Sequence, residues 1–177
     1  MNETNPMSEA HLMTTIPDDP LFKTRVQDGW VDYNGHINMA WYAAIMDQGG
    51  DEMYPLVGLG ETYAKAKRHT TYTAEVHICY KRELKLGDRV RVHTQLLDFD
   101  AKRMVLFHEI HHEQGWIAAT AEELLLHIDM SGPRVTPFPP GIAAQLAALK
   151  QAHATLPRPA LAGRAISLAN SLANKGA

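Results

Sequence analysis

One run, residues 38 to about 57, constrains what this chain can fold into more than any other. Trp41, Ala44, Ile45 and Gln48 recur at helical spacing, Asp47, Asp51 and Glu52 fall on a polar side, and Asn38 is a good N-cap residue. The run therefore predicts one long, mostly apolar helix. Gly49 and Gly50 sit inside it, where each costs about 1 kcal/mol relative to alanine. With Ala40, Ala43 and Ala44 they imply a helix held so close to other backbone that its side chains must be small.

The rest of the chain supplies that backbone. A first ordered element is expected over residues 22–31. After a loop near Gly58 and Gly60, four strand-like runs follow, roughly 70–82, 89–99, 103–113 and 116–130. The second alternates Val90, Val92, Thr94 and Leu96 against Arg89, Arg91, His93 and Gln95, the period of a half-buried strand. Leu86-Gly87-Asp88, residues 98–102 and Gln114-Gly115 are the turn signals between runs. A short helix is expected over 143–154. The order is satisfied by an α+β fold, an antiparallel five-stranded sheet wrapped around one long central helix.

A length of 177 residues with 45% hydrophobic and 21% charged content fits one globular domain. We place it at about residues 20–155. Residues 1–19 read as a flexible tail, and residues 156–177, opened by Pro157 and Pro159, as a flexible or weakly helical one. The net charge of −3 gives no overall basic field for nucleic acid or an anionic membrane. No stretch approaches the ~20 apolar residues of a membrane span, and residues 1–20 lack the basic start and apolar run of a secretion signal. The single cysteine, Cys79, excludes an internal disulfide and a multi-thiolate zinc site. A cytoplasmic location is expected.

The densest group of polar and aromatic residues runs from Trp30 to Asn38, where the first strand gives way to the helix. It offers a carboxylate (Asp32), an amide (Asn34), a glycine that permits a tight turn (Gly35), an imidazole (His36), and a helix start with unpaired N–H groups. Such a start holds an anion or a developing oxyanion. The same residues also serve simply to cap and turn the chain. Residue types alone leave both readings standing.

D-Y-N-G-H-I-N-M-A-W-Y at 32–42 resembles the D-x-x-G-H-x-N-x-x-x-Y signature of hotdog-fold acyl-CoA thioesterases of the 4-hydroxybenzoyl-CoA thioesterase type. The element order agrees with that fold over the whole domain. A narrower resemblance, to betainyl-CoA thioesterases including those fused to carnitine dehydrogenases, rests on W-V-D-Y-N-G-H at 30–36, K-R-M-V-L-F-H at 102–108 and A-T-A-E-E-L-L-L-H-I-D at 119–129. The resemblance implies a thioester hydrolase that needs no cofactor, with acyl-CoA as substrate, betainyl-CoA as the best single choice, and a homodimer or homotetramer as the assembly. It implies Asp32 as nucleophile or base, the amides of Met39 and Asn38 at the oxyanion position, and Gly35 and His36 as shapers of the loop. Trp30 stands where many relatives carry the first aspartate of D-x-D-x-x-G, so Asp32 has no like-charged neighbour two residues upstream.

Three further groups carry expectations. Trp30, Tyr33, Trp41 and Tyr42 would hold a quaternary ammonium group by cation–π contact if they faced one pocket, and core packing explains them equally well. By the resemblance Lys102 and Arg103 lie where family members often bind CoA phosphates, while a solvated turn pair explains them as well; Lys65, Lys67 and Arg68 form a second basic cluster open to the same two readings. His108, His111, His112 and His127 invite a metal reading. On a strand, however, His111 faces away from His108 and His112, and those two stand about 13 Å apart. No metal is expected. The alternatives on the same scaffold are a hydratase or dehydratase using Asp32 and His36, or an acyl-CoA-binding module without catalysis.

Overall fold

The computed structural model describes residues 22–168. The expected tail at 1–19 and residues 169–177 lie outside them. Strand β1 spans Phe22–Arg25 and α1 Met39–Met53. After α2 (Glu61–Lys67) come β2 (His69–Tyr80), β3 (Arg89–Phe99), β4 (Arg103–His112), β5 (Ile117–Asp129), β6 (Arg134–Val135) and α3 (Pro140–His153). The strands run antiparallel in the order β1-β3-β4-β5-β2, with β6 paired to β5. This is the expected sheet of five strands, with the two-residue β6 as an addition. No helix among the described residues is long and apolar enough to cross a membrane.

The chain departs from expectation in four places. The first strand stops at Arg25, and the chain tightens into a 3-10 turn at Asp28–Trp30. The central helix ends as an α-helix at Met53, because Pro55 has no N–H to continue it, and the path tightens into a 3-10 turn over Tyr54–Val57. Helix α2 occupies part of the expected loop. Finally, the segment after α3 is not helical through residue 168. It turns over Pro159–Gly163 and returns to the sheet, where the Gly163 amide donates to the Glu122 carboxylate and Arg164 reaches the Cys79 sulfur.

Helix α1 lies across β3 and β4. A Cβ on Gly49 would stand 2.5 Å from Cγ1 of Val92, and one on Gly50 3.3 Å from Cε1 of His108. The paired glycines are thus what allows the helix to reach the sheet. Ile45 and Met46 bury beside Val90, Val92 and Ile110, while Met53 and Val57 meet Leu96, Leu106, Leu125 and Leu146 of α3. At the start of α1 the Asn38 side chain accepts from the Ala40 amide at 3.0 Å, the capping bond that its residue type predicts.

Candidate active site

The loop that leads into α1 is built by short-range bonds. The Asp32 amide donates to His36 O at 2.9 Å and the Gly35 amide to Asp32 O at 3.0 Å, so residues 32–36 close a tight turn. Gly35 has φ +78°, a conformation that strains any residue with a Cβ. The Asn34 amide donates to Oδ1 of Asp32 at 2.8 Å, and the other carboxylate oxygen has no partner among the described residues. His36 Nε2 meets Glu83 Oε2 at 2.9 Å, which ties the turn to the segment after β2. Asp32 and Asn34 therefore do turn the chain, as the structural reading required, while one carboxylate oxygen stays open.

The two helix-start amides differ. Asn38 N–H donates to Trp30 O at 2.8 Å, so it is already engaged and does not point into the cleft as a donor. The Met39 amide, the first of the helix, has no acceptor among the described residues. A hollow of about 410 Å³ opens beside it, lined by Asp32, Asn34, His36, Met39, Tyr80 and Arg82 among others. The hydroxyl of Tyr80 donates to Met39 O at 3.4 Å. Tyr80, Lys81, Arg82 and Glu83 were not singled out from the sequence. They lie forty or more positions downstream, and the one available signal was the basic pair at the end of a predicted strand.

The four aromatic residues do not converge on a cation. Trp30 and Trp41 stack on each other with centroids 4.9 Å apart and planes 19° apart, leaving no slot between them. Tyr42 is buried, its hydroxyl accepts from the Leu84 amide at 3.1 Å, and burial raises its pKa. Tyr33 is 97% exposed. Packing thus claims Trp30 and Trp41 and solvent Tyr33, while Tyr42, edge-on to Tyr80 with centroids 5.2 Å apart, is the one of the four that lines the Asp32 hollow.

The histidines are also dispersed among individual partners. His108 bridges Thr94 and Glu123, with its ring nitrogens 3.0 Å from Thr94 Oγ1 and 3.1 Å from Glu123 Oε2. His111 meets Glu109, His112 stacks on Trp116, and His127 bonds Tyr63 and the Thr136 carbonyl. Burial works to raise the Glu123 pKa, but the bonds from His108 and Thr73 outweigh it and hold the carboxyl below its ordinary range. Glu123 lines a second hollow, about 320 Å³, between α1 and β2, with Asp47 on the helix and walls of Ala43, Ala44, Ile78 and Ala121.

Lys102 and Arg103 stand away from Asp32. Arg103 is engaged by Asp100, its Nε donating to Oδ2 at 2.7 Å, and the bonds to Asp100 hold that carboxyl down at about 2. Lys102 O accepts from the His127 amide, and His127 pairs with Thr71 near the start of β2, whereas Tyr80 of the cleft ends the same strand. The separation along the strand is roughly 30 Å at about 3.3 Å per residue.

A curled antiparallel sheet around one long helix, with a carboxylate and an open amide at the start of that helix, defines a hotdog-fold thioester hydrolase. The chain belongs to the thioesterase-like superfamily, whose match covers residues 26–146. It is 38% identical to the betainyl-CoA thioesterase of Pseudomonas aeruginosa over 148 residues, 83% of this chain and 93% of that one. Among solved structures, a Staphylococcus aureus protein in complex with CoA superposes with TM-score 0.77 at 28% identity, covering 83% of this chain and 93% of that one. A thioesterase of Pseudomonas putida KT2440, described as putative, superposes with TM-score 0.73 at 34% identity, covering 84% and 95%.

Proposed function

We propose that the chain hydrolyses a small acyl-CoA thioester, betainyl-CoA giving betaine and CoA, with Asp32 as the catalytic carboxylate and the Met39 amide as the oxyanion donor. The observation that carries this reading is that the Asp32 carboxylate and the unengaged Met39 amide share one cleft. With the thioester carbonyl oxygen against the amide, Asp32 either attacks the carbonyl carbon directly or takes a proton from a water that does. The carbon–sulfur bond then breaks, and the CoA thiolate leaves and takes up a proton; on the direct route a water then cleaves the acyl–Asp32 anhydride, which releases the acid and restores the carboxylate. One preorganised donor of this kind contributes about 3 kcal/mol to the transition state.

The choice of betainyl as the acyl group draws on the 38% identical relative. The cytoplasm is the proposed location, consistent with the single unpaired Cys79 and with a CoA substrate.

A homodimer accounts for the dispersal of the basic residues. Strand β2 is an edge of the sheet, its residues 72–76 are consecutively exposed, and Tyr72 and Val76 present apolar surface there. Antiparallel pairing of β2 with its copy, centred on Ala74, sets the start of one strand beside the end of the other. Lys67, Arg68 and Lys102 of one protomer then stand at the mouth of the other protomer's Asp32 cleft, where the phosphates of CoA would lie.

A thiol-release assay across betainyl-, benzoyl-, short-chain and long-chain acyl-CoAs, run on the protein and on Asp32→Asn, tests the reading. Betainyl-CoA is expected to be the preferred substrate, and the variant to lose about 10²–10⁴-fold in kcat. Unchanged turnover of every accepted ester by Asp32→Asn overturns it.

A further inference from the structure

The edge of the sheet opposite β2 carries an arrangement that the proposed reaction does not use. In the register of β1 with β3, Lys23 is paired with Arg91 and Arg25 with Arg89. Residues paired directly across a ladder share a face, so two like-charged pairs stand side by side on the face turned away from α1. Their neighbours in sequence, Val90 and Val92, point the other way into the core. Like charges directly opposite each other destabilise a sheet. In a chain whose net charge is −3, their accumulation on one patch is not a by-product of a basic composition.

Local carboxylates leave the three arginines of the patch unengaged. Among the described residues no ion pair or side-chain hydrogen bond engages Arg25, Arg89 or Arg91. The Nε of Arg91 is buried with no hydrogen-bond partner. A buried donor on a charged group is costly to leave unpaired, and the rest of the sheet satisfies its polar atoms. The residues surround a hollow of about 430 Å³, with Glu113 the one acidic residue in its lining. That volume is within the range of small-ligand sites, about 300–1,000 Å³.

We propose that the β1–β3 edge is a binding site for a phosphate-bearing anion, held by Arg25, Arg89 and Arg91. Guanidinium groups present planar pairs of donors that match phosphate oxygens two at a time. An anion seated between the two pairs turns their mutual repulsion into attraction and gives the Arg91 Nε an acceptor. Two sources share this chemistry: a free phosphate compound bound apart from catalysis, or the phosphorylated nucleotide end of a CoA ester, which would then lie here instead of at Lys67, Arg68 and Lys102.

The test is titration of the full chain at low salt with inorganic pyrophosphate, followed by calorimetry and by the shift in Tm. Saturable binding is expected, with each of Arg25→Gln, Arg89→Gln and Arg91→Gln weakening it tenfold or more and Arg158→Gln, a substitution of an exposed cation elsewhere, leaving it unchanged. Without pyrophosphate, Arg89→Gln is expected to raise Tm slightly, because a like-charged pair is removed; loss of a purely structural contact would lower it. KM measured on an acyl-CoA and on the matching N-acetylcysteamine thioester, which has no phosphate, separates the two sources. A KM rise confined to the CoA ester assigns the anion to the substrate, and unchanged KM values with lost pyrophosphate binding assign it to a separate ligand. No saturable binding, or equal affinity in the three variants and the parent, overturns the site. Because pyrophosphate binding needs no turnover, this outcome is independent of whether Asp32 is catalytic.

Discussion

The amide of Asn38 donates to the carbonyl of Trp30 at 2.8 Å, and this one bond separates the roles of the two residues that open α1. It folds the 3-10 turn back over the helix start and occupies the Asn38 N–H, so in the proposed mechanism the Met39 amide is the one left to face the oxyanion. Met39→Pro deletes that amide with little cost to the fold. Position N1 of a helix tolerates proline, and Asn38, at φ −61° and ψ 143°, already has the extended conformation required before one. We expect Tm to change little and kcat to fall about 10²–10³-fold. A variant that keeps full activity would remove the oxyanion assignment.

The paired glycines make opposite predictions. Alanine in a helix interior is favoured over glycine by about 1 kcal/mol. At Gly49 the added methyl would sit 2.5 Å from Val92 Cγ1 in the packed interior, and overpacking of this kind costs about 1–3 kcal/mol. At Gly50 the nearest atom is His108 Cε1 at 3.3 Å, which yields with a small ring movement. Gly49→Ala should therefore lower stability in urea unfolding by up to about 2 kcal/mol, with Gly50→Ala neutral to slightly stabilising. Equal effects at the two positions would contradict the packing described for α1.

What the sequence made legible followed from periodicity and from residues with local roles. The central helix and β3 were readable from the period of their apolar residues, the N-cap at Asn38 from its residue type, and the later strands from the turn signals that bound them. Helix α2 was not readable, because none of its residues is buried and it writes no apolar stripe. The Asp32 turn was readable from its own residues, whereas Tyr80, Lys81 and Arg82 reach the cleft only through the position of β2 in the sheet. The aromatic grouping misled for a related reason. Proximity in sequence does not reveal that a 3-10 turn lays Trp30 flat against Trp41 and leaves Tyr33 in solvent.

Acid should weaken the fold in two stages. Burial, followed by the nearby positive charge of His111 and Arg91, pushes His93 down to about 4, and burial lowers His127 and His153 from 6.5. His153 in addition accepts the Leu96 amide on Nδ1 at 2.9 Å, a bond that protonation there removes. Between pH 6.5 and about 4 the unfolded chain binds protons that the folded chain refuses, so stability falls as pH drops through that window. Asp100 and Asp129, held at about 2 by bonds from Arg103 and Ser131, keep their contribution above 3.8 and lose it below. A Tm series from pH 7.5 to 3 should decline from about pH 6.5, and His93→Gln should flatten the upper part of the decline. A level Tm down to pH 4.5 in the parent protein would contradict the first stage.

The proposed pairing of β2 edges makes the strongest demand, because it assigns each cleft to two chains. Asp32→Ala removes the carboxylate from its own cleft, while Arg68→Glu with Lys102→Glu spoils the basic mouth of the partner's cleft. Lys102 has no side-chain ion pair among the described residues, and Arg68 is exposed just before β2, so the double substitution should leave the fold intact. Each homogeneous protein is expected to be poor, the first in kcat and the second in KM for acyl-CoA. When the two are unfolded together and refolded, a mixed dimer acquires one cleft with its own Asp32 and with the Arg68 and Lys102 of the other chain, and another cleft with both defects. Activity should therefore rise above the mean of the separate proteins, with the restored fraction showing the parental KM. If every cleft drew its basic residues from its own chain, mixing would give only the mean, and the paired-edge arrangement would fail even with Asp32 confirmed as catalytic.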